Sequence, residues 1–98
     1  MDYDVDRLKR FILEYLIKKG IFGGAHTPIE RVIHDLPAQF LQDKRCRKKI
    51  NEAIKGLVNN GWLMVRKKRT GKGDSLHISI NPRSVKEVSA FLGISNSV

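Results

Sequence analysis

The sequence predicts a mostly helical α+β fold: a core of three helices, then a β-hairpin, then an extra C-terminal helix. Three observations lead to this reading. Apolar residues recur at helical spacing through most of the chain. The period drops from 3.6 to 2 just after Asn60-Gly61. The length, 98 residues with 41% hydrophobic and 30% charged, suits one modest core and not two. Residues 1–98 are therefore read as a single domain, with helices over 4–19, 28–35, 44–60 and 83–92 and the hairpin over 62–80.

In the first helix, Val5, Leu8, Ile12, Tyr15 and Leu16 fall on one side. Gly20 stands just past its end, after Lys18 and Lys19. Leu13 and Ile17 lie off that stripe, so they either pack beneath another element of the chain or form a self-association patch. Ile21 to His26 contains Gly23-Gly24 and reads as a loop or a very short strand. Thr27-Pro28-Ile29-Glu30 is a start signal: Thr27 as cap, Pro28 at the first helical position, Glu30 closing a capping box. Ile29, Val32 and Ile33 face inward, and Asp35-Leu36-Pro37 stops this short helix.

Phe40 and Leu41 in the following connection are expected to tuck into the core. Asp43 is placed to cap the next helix, which closes at Gly61. Its inward stripe is Cys46, Ile50, Ala53, Ile54 and Leu57. Gly56 interrupts it without a visible reason. Trp62 to Lys68 and Leu76 to Ile80 alternate as two strands, and Arg69 to Asp74 forms a glycine-containing turn between them. Asn81-Pro82 and the Ser84…Glu87 pair open the last helix, with Val85, Val88, Phe91 and Leu92 on its apolar side. Gly93 ends it, and residues 94–98 read as frayed.

The net charge is +9, and it is unevenly spread. Residues 1–43 hold 6 Lys/Arg against 7 Asp/Glu, a net of −1; residues 44–98 hold 13 against 3, a net of +10. Two clusters carry much of the excess: Lys44, Arg45, Arg47, Lys48, Lys49, and then Arg66, Lys67, Lys68, Arg69, Lys72. Two basic clusters flanking an apolar stretch suggest two surface elements that meet one anionic partner.

Other classes are disfavoured. No apolar run reaches the length of a membrane span. The acidic start, Met1-Asp2-Tyr3-Asp4-Val5-Asp6, lacks the apolar core of a signal peptide. One cysteine, Cys46, makes no internal disulfide and anchors no zinc site unaided. His26, His34 and His77 are scattered, no glycine-rich phosphate loop is present, and no catalytic constellation emerges. The expectation is a cytoplasmic, nucleoid-associated protein that is not an enzyme and needs no cofactor.

The order of elements resembles the winged helix-turn-helix family, in its small single-domain archaeal and bacterial form. The resemblance covers about residues 4–81. It rests on Thr27-Pro28-Ile29-Glu30, on the 44–60 helix closing in Asn59-Asn60-Gly61-Trp62-Leu63, and on the basic hairpin. It departs from the family between Asp35 and Asp43, a connection longer than a standard tight turn. The resemblance implies that the 44–60 helix enters the DNA major groove. It implies equally that the hairpin, as a wing over Arg66 to Asp74, follows the backbone or the minor groove.

The residues support the same placement independently. With Cys46, Ile50, Ile54 and Leu57 inward, the helix exposes Lys44, Arg45, Lys48, Asn51 and Lys55. Arg45 is the candidate for guanine and Asn51 for adenine, although Asn51 is as readily a solvated side chain. Lys48, Lys49 and Lys55 suit phosphates, while Arg47 lies nearer the core edge. The helix start also offers amide groups to a phosphate. In the wing, Arg66 and Lys68 share one face and Lys67 the other, and Arg69 or Lys72 suits a narrow minor groove.

The expected function is sequence-specific binding of double-stranded DNA, as a transcriptional regulator. The alternatives are an RNA- or ribosome-associated protein, or a module that grips an acidic protein. A homodimer would use Leu13, Ile17 or the last helix through Val85, Val88, Phe91 and Leu92. Cys46 reads as a small core residue, with a redox role open if Arg45 and Arg47 lower its pKa.

Overall fold

Helix α1 (Val5–Lys18) buries four large side chains, Leu8, Ile12, Leu13 and Leu16, and the rest of the molecule is assembled on it. The computed structural model describes residues 5–71 and 73–94, so residues 1–4, Lys72 and the tail 95–98 lie outside it. Leu13 departs from the single apolar stripe because helix α1 has neighbours on several sides, two later helices and a strand of the sheet. Burial of each such side chain stabilises the fold by about 1.5–3 kcal/mol. At its end the amide of Ile21 reaches the Leu16 carbonyl at 2.9 Å and the Gly20 amide reaches Ile17 at 3.0 Å. This is the Schellman closure that the glycine predicts.

The second predicted start signal is used differently. Thr27–Pro28 form a short strand β1, and helix α2 begins only at Ile29 (Ile29–His34). Thr27 makes no side-chain cap at α2; it is buried in the sheet opposite Ile78. Glu30 does not close a capping box but binds Arg47, far along the chain. The residue before a proline prefers extended backbone, and here that preference prevails over helix initiation.

The connection from 35 to 43 holds a four-residue helix α3 (Ala38–Leu41). Phe40 is buried, as expected, but Leu41 is 47% exposed. Helix α4 (Cys46–Asn59) then lies across α1, with Ile50, Ala53, Ile54 and Leu57 inward. At the crossing, a Cβ on Gly56 would sit 2.9 Å from the Lys9 side chain, so the glycine gives that lysine room. Gly61, at φ 78°, closes α4 with the Trp62 amide on the Leu57 carbonyl.

Strands β2 (Leu63–Thr70) and β3 (Gly73–Ile80) pair antiparallel, from Leu63 opposite Ile80 to Thr70 opposite Gly73. The sheet order is β1-β3-β2, so β2 is an edge strand. Ile78 and Ile80 face the core with Leu63. Asn81 caps a 3₁₀ turn (Pro82–Ser84), and helix α5 (Val85–Leu92) follows. The expected Ser84…Glu87 box is also spent on long-range contacts: Ser84 Oγ donates to the Gly61 carbonyl at 2.9 Å, and Glu87 accepts from Trp62 Nε1 at 3.1 Å. Phe91 completes this corner, its ring tilted against that of Trp62 with centroids 5.2 Å apart and covered by the Arg10 guanidinium. No helix of the described residues is long and apolar enough to cross a membrane.

These contacts bear on the surfaces expected for self-association. Leu13 and Val88 are fully buried within the protomer and offer nothing to a second copy. Ile17, Val85, Phe91 and Leu92 are half-buried against the same core.

Candidate nucleic-acid interface

Helix α4 is amphipathic because its apolar residues meet α1, and this leaves its polar residues outward. Lys44 and Arg45 lie in the turn entering the helix; Lys48, Asn51 and Lys55 lie on it; all five are exposed. Within the helix, the spacing 48, 51, 55 sets Lys48, Asn51 and Lys55 along one ridge. Arg47 is exposed too, but its guanidinium holds Glu30 through two bonds, of 2.9 and 3.2 Å, which tie α4 to α2. Arg47 thus has a structural partner rather than a bare apolar surface beneath it.

Lys49 is set apart from that ridge. It is buried, and its ammonium lies 2.7 Å from Asp43 Oδ2. The other oxygen of Asp43 accepts from the Arg45 amide at 2.8 Å. Lys49 first, and then the Arg45 amide, hold the Asp43 carboxyl below the usual carboxylate range. The expected phosphate role of Lys49 therefore gives way to an internal ion pair. Asp43 does not cap α4 as expected: the helix begins at Cys46, its N-cap is Arg45 without a side-chain cap, and the Asp43 carboxylate closes the turn just before it. Cys46 beside it is half-buried. Burial, and then Asp43, push its thiol up against the opposite pull of Arg47 and Lys49. The lowered pKa that a redox role needs is not found there.

On the hairpin, Arg66, Lys67, Lys68 and Arg69 are all exposed. The register sets Arg66 opposite His77 and Lys68 opposite Ser75, on the face turned away from the core. Lys67, opposite Leu76, shares the other face with Val65 and Arg69. Lys72, the remaining candidate, lies outside the described residues.

Between α4 and the hairpin runs an open groove. Its floor is Ile29, Ile54, Val58, Val65 and Leu76, and Asn51 and Lys55 stand on its helical wall. The groove continues past Leu76 to Ser75 and the Glu30–Arg47 pair. The two basic elements are thus the two walls of one concave surface. Neither a family model, nor a curated protein, nor a solved structure matches this chain. The interface is consequently argued from its own geometry.

Sequence reasoning missed one pairing. His26 and His77, 51 positions apart, bring their Nδ1 atoms to 2.8 Å, with the rings edge to face. The pairing follows from the alignment of β1 with β3, which sets Pro28 opposite His77. Burial, then His26, then Lys68 push the His77 imidazole below the ordinary histidine range. Among the described residues no group of three or more His, Cys, Asp or Glu side chains is placed to hold a metal.

Proposed function

We propose that the protein is a winged-helix transcriptional regulator that binds double-stranded DNA in a sequence-specific manner, without a cofactor. Helix α4 enters the major groove and the β2–β3 hairpin is the wing. One observation carries this reading: exposed cations of α4 and its entry turn (Lys44, Arg45, Lys48, Lys55) and of β2 (Lys67 and Arg69 on the face of Val65, Arg66 and Lys68 on the opposite face) belong to the two elements that flank a single groove. A helix of this width fits the major groove, and residues near its start reach base edges. Arg45 reads a guanine, Asn51 further along α4 reads an adenine, and the lysines neutralise phosphates.

The test is a binding titration over a series of salt concentrations. With about five phosphates contacted, log K falls with log salt at a slope of about −4 to −5 per subunit. Arg45→Ala costs about 1–3 kcal/mol and relaxes preference at one base position. Lys67→Ala and Lys68→Ala weaken all sequences alike. A salt-independent affinity, or tighter binding of structured RNA than of duplex DNA at the same salt, overturns the reading.

A further inference from the structure

Duplex binding uses the walls of the groove and leaves its floor unexplained. Val58 is 38% exposed, Val65 39% and Leu76 47%, and the three line one surface with Ile29 and Ile54. Scattered exposed apolar side chains need no account, but these converge from α2, α4, β2 and β3 on one strip. A phosphate backbone gains nothing from such a floor. The strip has the form that accepts the apolar ridge of an amphipathic helix, with side chains at i, i+3, i+4 and i+7. Its helical wall, α4, is 14 residues long. That is roughly 21 Å, the length of about four turns of a partner helix.

The charge around the strip selects the partner. Lys55 stands on one wall, and Lys67 and Arg69 share the strand face of Val65 on the other. Glu30, a carboxylate at the open end, is already neutralised by Arg47. A second copy of this chain, with net charge +9, would bring cations against cations. We propose that the groove between α4 and the β2–β3 hairpin docks an acidic amphipathic helix of a protein partner, its apolar ridge on Val58, Val65 and Leu76 and its carboxylates on Lys55, Lys67 and Arg69. The site goes beyond the DNA reading and shares its cations, so partner and duplex exclude one another.

The experiment uses a labelled synthetic peptide of about fourteen residues, with leucines at helical spacing and glutamates flanking them. A scrambled peptide of the same composition is the control. The patterned peptide binds about tenfold tighter than the scramble, and it shifts the methyl resonances of Val58, Val65 and Leu76. Leu76→Gln and Val58→Gln each remove most of that difference while keeping salt-dependent duplex binding. Both sites lie on the surface, so either variant alone suffices. Equal binding of patterned and scrambled peptides, or no effect of both variants, overturns the proposal. So does a loss of duplex affinity in the variants with peptide binding intact, which assigns the floor to thymine methyl groups instead.

Discussion

Lys48 and Lys49 stand one residue apart on α4 and direct their charge to different places. Lys48 is exposed on the ridge that fronts the groove, while Lys49 is buried against Asp43. Lys49→Ala is therefore expected to lower the melting temperature by several degrees and to leave the salt slope of DNA binding unchanged. Lys48→Ala is expected to do the reverse, and thermal melting beside binding titrations checks both. His77 supplies a pH signature of its own. Its folded-state pKa is depressed, so protonation is harder in the folded chain than in the unfolded one. The associated stability is complete above the ordinary histidine pKa of about 6.5 and declines as pH falls through that value toward the folded one. Glu30, Asp35 and Asp43 are also depressed, but as carboxylates they lose their contribution only below about pH 4.5. Melting temperature is expected to fall in two separate steps on acidification. His77→Gln should abolish the upper step alone.

At the scale of elements, the helical faces were legible because one periodicity decides which residues meet the core. The inward residues of α4 are predicted by spacing, and four of the five are buried, with Cys46 half-buried at the start. The capping boxes were not legible. Thr27 and Ser84, with Glu30 and Glu87, have the right local spacing, yet each glutamate finds a partner far along the chain: Arg47 for one and Trp62 for the other. Local signals state what a residue can do, and tertiary geometry decides which option it takes. Strand β1 was missed for a related reason. Two residues carry no period, and Thr27–Pro28 become a strand only because β3 lies beside them. Nor does periodicity bear on the His26–His77 pair or on the groove floor, since both arise between elements distant in sequence. Gly56 yields a prediction at this scale. Its backbone is not left-handed, and the obstacle to a Cβ is the mobile end of Lys9. Gly56→Ala is expected to raise the unfolding free energy by about 0.5–1 kcal/mol, measured by chemical denaturation.

At the scale of the whole molecule, α1 holds the helices and the sheet in one core. Leu57, fully buried where α4 meets α1, should cost about 2–5 kcal/mol as Leu57→Ala, read from the denaturation midpoint at unchanged slope. A charge of −1 over residues 1–43 and +10 over the remainder means that the acidic and basic halves meet within one small body. Asp43 and Glu30 illustrate it, each holding a cation from the basic half. The position of β2 at the sheet margin has a further consequence. An open strand edge invites another chain to extend the ladder, and a row of like charges is the usual deterrent. Arg66, Lys67, Lys68 and Arg69 form that row. Any polyanion held by these four residues also silences the repulsion that keeps neighbouring molecules apart. Crowded side by side on a long anionic scaffold, copies of this protein would lose their protection against strand-to-strand stacking at the moment of their highest local concentration.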